Sequence, residues 1–204
     1  MEYAEMLIPV QGDLIPKPAN DETNGIDLGE TMPTKIMTSA DVVNFYTELD
    51  NLGIKIWLDG GWGVDALLGE QTRSHADLDI VIQQKDVKKA RGLLEGQGYK
   101  NVERDDTRPC NFVLGDDNGH EIDFHVIVFD NKGNGIYGSI ENGWPVGSLA
   151  GTGNINGHPI RCVSPEYMFK SHTGYKLHEK DLKDVSALCR KFGIDYPEEY
   201  IRSP

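Results

Sequence analysis

The chain has 204 residues, 38% of them hydrophobic and 26% charged, with a formal net charge of −13. That length suffices for one domain with a sizeable core, with or without an appendage. The acidic balance argues against non-specific nucleic-acid binding, which leans on basic surface, and suits either a cationic small-molecule partner or plain solubility. Cys110, Cys162 and Cys189 form no CxxC pair and cannot all pair with one another. Buried thiols in a reduced, cytoplasmic setting are therefore expected rather than a disulfide framework. No run approaches the ~18 apolar residues of a membrane span, and the first residues lack the basic-then-apolar order of a signal peptide.

Residues 1–36 carry Pro9, Pro16, Pro18 and Pro33 with Gly12, Gly25 and Gly29, which break any long helix or strand. The stretch reads as an N-terminal extension, with Met6–Ile8 as a short edge strand or packed arm. Such an arm lies on the body or on a partner subunit, which leaves room for a homodimer; a lid over substrate is the alternative. Thr38 with Asp41 three residues on is a helix start. Val42, Phe45, Tyr46, Leu49 and Leu52 then recur at helical spacing until Gly53. Ile54 to Leu58 follows as the first central strand, and Gly60-Gly61 opens a short helix from Trp62 to Leu68, closed by Gly69.

The next polar loop, with Arg73 and His75, leads into Asp77-Leu78-Asp79 and the apolar Ile80-Val81-Ile82. Alternate residues of a strand share a face, so Asp77 and Asp79 project the same way, about 6.5–7 Å apart. Two carboxylates so placed suit a hard cation such as Mg²⁺, which keeps waters and binds substrate phosphates. Glycines at a helix N-terminus let backbone N–H groups approach and hold a phosphate. Phosphate seat and metal carboxylates on one short stretch point to nucleotidyl transfer.

Downstream, Asp86 to Leu94 reads as a helix, and Tyr99–Arg104 and Asn111–Gly115 as strands, with Asp117-Asn118-Gly119 a hairpin turn. From His120 to Phe129 the pattern alternates. Glu121, Asp123 and His125 fall on one face; Ile122, Phe124, Val126 and Val128 fall on the other, buried one. Asp130 to Gly157 is dense in glycine and reads as a long irregular stretch of the kind that is often functional. Asn156-Gly157 is a second hairpin signal before a strand at Pro159–Val163. Ser164-Pro165-Glu166 starts a helix to about Gly174, and a last helix runs from about Glu179 to Lys191, closed by Gly193.

The GGW motif followed by Arg-x-His-x-Asp-x-Asp resembles the nucleotidyltransferase superfamily. It is most similar to the small antibiotic adenylyltransferases of the lincosamide and aminoglycoside-2″ type, over about Ala40 to Leu188. The resemblance implies an α/β (α+β) nucleotidyltransferase fold over residues 37–195, with a tail at 196–204. Its mixed twisted sheet would have helices packed mainly on one face and an all-helical end. It also implies that the His120–Phe129 strand lies beside the Asp77–Asp79 strand and supplies a third carboxylate, Asp123. Asp77, Asp79 and Asp123 would then be catalytic and hold Mg²⁺, two ions being expected. Asp123 would accept the proton of the attacking hydroxyl, with Glu121 and His125 as rival bases.

Gly60, Gly61, Arg73 and Lys180 would bind the nucleotide, expected to be ATP; a structural ion pair is the other role open to Arg73. His75 would hydrogen-bond to the loop or to a metal carboxylate. Asp181 and Asp184 would orient Lys180 or cap the last helix. Glu121, His125, Tyr137 and Trp144 are candidates for contact with the acceptor. The aminoglycoside type carries a carboxylate where this chain has His125, whereas the lincosamide type has His. An antibiotic hydroxyl, lincosamide first and aminoglycoside second, is thus the expected acceptor. A non-antibiotic metabolite, a protein acceptor or a non-catalytic nucleotide-binding module are the alternatives.

Overall fold

The computed structural model describes residues 36–173 and 178–196, apart from the side chains of residues 140–142. The expected arm, most of the expected tail and the Gly174–Leu177 segment lie outside the described residues. The first helix, α1 (Ser39–Asn51), begins at a capping box. Thr38 accepts from the Asp41 backbone while the Asp41 carboxylate accepts from the Thr38 backbone. Such a cap is worth about 1 kcal/mol. Val42, Phe45, Tyr46 and Leu49 are buried as the spacing predicted, and Leu52 instead sits 39% exposed at the C-cap.

Strand β1 (Ile56–Leu58) turns directly into α2 (Gly60–Leu68), which ends at Gly69 in the left-handed conformation. The chain continues through β2 (Asp77–Gln83), α3 (Gln84–Gly96), β3 (Lys100–Val102), β4 (Asn111–Gly115) and β5 (Glu121–Phe129). The strands form most of a mixed sheet whose order is β3-β4-β5-β2-β1, extended beyond β1 by two later strands, His158–Cys162 and then Gly151–Ile155. β1 is antiparallel to β2, while β2 and β5 run parallel with Asp79 opposite Asp123 and Asp77 opposite Glu121. α3 packs on β2 and β5, and α1 on β1. The fold is the α/β arrangement expected.

The alternation of β5 holds from Glu121 to Val126, with Ile122, Phe124 and Val126 buried. Val128, expected on the buried face, is 47% exposed. Pairing with β2 ends at Gln83 opposite Ile127, and beyond it Val128 pairs instead with Ile136 of a later strand.

The glycine-dense segment after β5 is not a long irregular loop. It contains β6 (Gly135–Tyr137), β7 (Ser139–Trp144) and β8 (Gly151–Ile155), the last paired with β9 (His158–Cys162) across the expected Asn156-Gly157 turn. Several of these glycines mark close packing rather than looseness. A Cβ on Gly151 would stand 2.3 Å from the Val163 carbonyl oxygen, and one on Gly153 2.1 Å from that of Ala66 in α2. Because the obstacle at Gly153 is backbone, neither side can yield by a rotamer change. Gly153→Ala is therefore expected to destabilise by about 3 kcal/mol, lowering the unfolding temperature by about 6–12 °C. A calorimetric scan within 2 °C of the parent would refute this packing.

α4 (Pro165–Ser171) starts at Ser164, whose side chain accepts from the Tyr167 backbone, and α5 (Glu179–Phe192) ends at Gly193 as expected. The three cysteines are free, Cys162 and Cys189 buried and Cys110 partly so. Among the described residues no helix is long and apolar enough to cross a membrane.

Candidate active site

The register of β2 against β5 puts Asp79 and Asp123 side by side on one sheet face. One ligand atom from each of Asp79, Asp123 and His125 lies within 4.8 Å of the others. Asp77, two residues up the same face, is exposed and lies outside this group. Glu121 faces Arg104 instead, in an ion pair of 2.8 Å. Burial, then the negative charges of Asp77, Asp123 and Asp59, push the Asp79 carboxyl up to about 7 against the opposing pull of His125. Adjacent carboxylates this costly to ionise are a setting that a cation relieves. Oxygen donors on neighbouring strands are also what a divalent ion such as Mg²⁺ takes. The residues present fit such an ion.

The glycine pair brings these groups together in a second way. Gly60 has φ +54°, and a Cβ there would stand 2.0 Å from an Asp79 carboxylate oxygen. At Gly61 a Cβ would stand 2.3 Å from His75 Nδ1 and 2.6 Å from an Arg73 guanidinium nitrogen. Both glycines thus let side chains of the following loop and strand crowd the N-terminus of α2, where backbone N–H groups favour an anion.

Asp59 is a site residue that the sequence pattern did not bring forward. It occupies the N-cap of α2, yet its carboxylate makes no cap hydrogen bond; it lies 3.2 Å from His125 Nδ1. Its own backbone N–H donates to the Asp79 carbonyl at 3.0 Å. Burial opposes both charges, but the hydrogen bond between them prevails. The Asp59 carboxyl falls below its usual range, and His125 is raised to about 9 with help from Asp123 and Asp79. The signal was present just past β1, where Asp59 follows Trp57 by two residues on the face that the pairing of Trp57 with Val81 aligns with Asp79.

A further chain of polar groups runs behind the glycines. Buried Asp65 accepts from the Thr72 backbone and hydroxyl at 3.0 and 2.6 Å, and its other oxygen lies 2.5 Å from His75 Nε2. Arg73 Nη1 is 2.9 Å from His75 Nδ1. Arginine can only donate, so Nδ1 accepts and the His75 Nε2–H donates to Asp65. Trp62 packs against the imidazole at 4.6 Å between ring centroids, the planes tilted by 43°. His75 therefore bonds to the loop, not to a metal carboxylate. Arg73 also reaches Asp184 of α5 at 2.9 Å, with its side chain 28% exposed. Asp184, expected near Lys180 or at a cap, thus anchors Arg73; Asp181 does cap, accepting from the His178 backbone at 2.9 Å. Lys180 is exposed in the first turn of α5.

Of the aromatic candidates, Tyr137 packs edge-on against the His125 ring at 5.8 Å and donates to Asn111 at 2.5 Å. Trp144 packs, tilted, against Tyr167 at 5.1 Å between ring centroids and lines a groove of about 230 Å³ with Trp57, Phe129 and Pro145.

The chain has relatives among known proteins. The profile of the aminoglycoside-2″-adenylyltransferase family matches residues 41–188. The chain belongs to that family. A lincosamide resistance protein of Staphylococcus haemolyticus is 30% identical over 159 residues, covering 77% of this chain and 98% of the relative. A 2″-aminoglycoside nucleotidyltransferase of Escherichia coli is 28% identical over 138 residues, covering 67% and 68%. Among solved structures, a lincosamide antibiotic adenylyltransferase with lincomycin bound superposes with a TM-score of 0.67 at 28% identity. That match spans 78% of this chain and 99% of the other. ANT(2″)-Ia in complex with adenylyl-2″-tobramycin gives a TM-score of 0.62 at 22% identity, over 76% and 89%, and shares the fold. As a member of this adenylyltransferase family the chain is a nucleotidyltransferase, and the family implies a nucleotide substrate and a divalent metal.

Proposed function

We propose that the chain transfers AMP from ATP to a hydroxyl of a lincosamide antibiotic, releasing pyrophosphate and conferring resistance. The reading is carried by the pairing of Asp79 with Asp123 on one sheet face, with Asp79 close against Gly60 at the N-terminus of α2. The backbone N–H groups of Gly60 and Gly61 and the guanidinium of Arg73, steadied by Asp184, hold the triphosphate, and Lys180 approaches it from α5. The acceptor hydroxyl attacks the α-phosphorus, the bond to the bridging oxygen breaks, and the β- and γ-phosphates leave as pyrophosphate. Asp123 takes the hydroxyl proton. Tyr137, against the imidazole of His125, borders the acceptor. Asp79 and Asp123, with Asp77 completing the set, would hold divalent cations, two Mg²⁺ ions, which would supply neutralisation of phosphate charge and a lowered hydroxyl pKa. Positioning and charge then account for the catalysis.

Lincosamide is favoured over aminoglycoside by His125 in Asp123-Phe124-His125 and by the near end-to-end match to the lincosamide relative. Incubation with MgATP and either lincomycin or kanamycin tests the assignment. Acceptor-dependent pyrophosphate and an adenylylated product are expected with lincomycin. A product with kanamycin alone reverses the order of acceptors, and none with either drug overturns the antibiotic reading.

A further inference from the structure

In a site built for Mg²⁺ alone the donors would all be oxygens, because that small hard ion takes carboxylates, phosphates and water. Here the third member of the cluster is an imidazole. His125 Nε2 stands 3.9 Å from Asp123 Oδ2. Donor atoms around an ion bound at about 2.0–2.2 Å stand about 3–4 Å from one another. The wider spacings in the group, up to 4.8 Å, close by rotation about a carboxylate torsion, which is soft, without moving either strand.

The other ring nitrogen is also arranged as in a metal-binding histidine. Such residues donate their second N–H to a carboxylate that fixes the ring and raises its basicity. Asp59 occupies that position at 3.2 Å from Nδ1, with its side chain 11% exposed. It does so in place of capping α2, the role that Asp at an N-cap ordinarily fills. Tyr137 packs edge-on to the same ring, so the imidazole is held from two sides with Nε2 turned toward Asp123.

We propose that His125, oriented by Asp59, is a direct cation ligand together with Asp79 and Asp123. The nitrogen shifts the preference of this site from Mg²⁺ toward borderline ions such as Mn²⁺ and Co²⁺. Imidazole suits such ions better than it suits Mg²⁺, whose partners are oxygens. Asp59 is then a positioning residue for the cation site. The inference rests on the nucleotidyl-transfer reading for the existence of a cation here, not on the identity of the acceptor.

The test uses the full chain with Mn²⁺ and inorganic tripolyphosphate, which fills the phosphate seat without bringing a nitrogen. Pulsed electron paramagnetic resonance is expected to show ¹⁴N coupling to bound Mn²⁺ in the parent and none in His125→Ala or His125→Asp. Competition titrations should show the ratio of Mn²⁺ to Mg²⁺ affinity falling at least tenfold in both variants. His125→Asp keeps a cation site through its oxygen, so the comparison survives if His125→Ala fails to fold. Asp59→Ala should weaken Mn²⁺ binding by about 10- to 100-fold, and Asp59→Asn, which still accepts from Nδ1–H, by less. Absence of ¹⁴N coupling in the fully loaded parent, or its persistence in either His125 variant, overturns the proposal. Since no turnover is read, failure of lincosamide adenylylation leaves this result untouched, and the reverse also holds.

Discussion

Asp79→Asn is expected to abolish nucleotidyl transfer while making the metal-free protein more stable. On the proposed reading Asp79 holds the cation that neutralises the phosphates, so removing its carboxylate forfeits several kcal/mol of transition-state stabilisation, which at 1.36 kcal/mol per decade is about 10³-fold or more in rate. The opposite sign for stability follows from the surroundings. The carboxyl is half-buried, feels the charges of Asp77, Asp123 and Asp59, and is pushed up to about 7. A raised acid pKa means that the folded chain holds a proton that the unfolded chain releases near 3.8. That contribution is complete below about pH 4, fades as pH rises toward 7, and is replaced by a full ionisation penalty above. The amide, which never ionises, should therefore raise the unfolding temperature by about 3–6 °C at pH 8 in chelator, and by nothing near pH 4. A variant that loses both its fold and its activity would identify Asp79 as a structural residue and remove the basis for the cation site.

Local rules made much of this arrangement legible. Thr38 with Asp41, Gly69, Gly193 and the Ser164-Pro165 start all act through contacts within a few residues, and each ends or begins a helix as the pattern indicated. The alternation in β2 and β5 fixed which side chains share a face, and only one strand register brings Asp79 opposite Asp123 while keeping Ile80 and Phe124 buried. What depended on distant partners could not be read in this way. Asp184 stands 111 residues from Arg73 and ends in an ion pair with it, although on its helix it looked like a partner for Lys180. Asp59 drew no reading because nothing local says that its carboxylate will turn to His125. The glycines of β8 looked like loop residues because composition does not report the Ala66 and Val163 carbonyls pressed against them.

Asp123→Asn separates chemistry from binding. Asp123 lies on β5 with its side chain 27% exposed, opposite Asp79 and 3.9 Å from His125 Nε2. On the proposed reading it takes the hydroxyl proton and helps hold the cation nearest the attacking oxygen. On the same reading the triphosphate is held chiefly by the N-terminus of α2 and by Arg73. The amide has the same size, so the packing against His125 survives, but it cannot accept a proton from a hydroxyl at neutral pH. Loss of general-base assistance alone is worth about 10²- to 10⁴-fold. The single-turnover rate with lincomycin is therefore expected to fall by at least about 10²-fold, whereas ATP affinity should change far less. Rapid-quench kinetics at saturating ATP, set beside equilibrium titration with a non-hydrolysable analogue, measure the two quantities independently. If affinity and rate fall together by similar factors, Asp123 serves to bind the nucleotide. The proton acceptor must then be sought at His125, the one other cluster member that reaches the same face of β5 beside it.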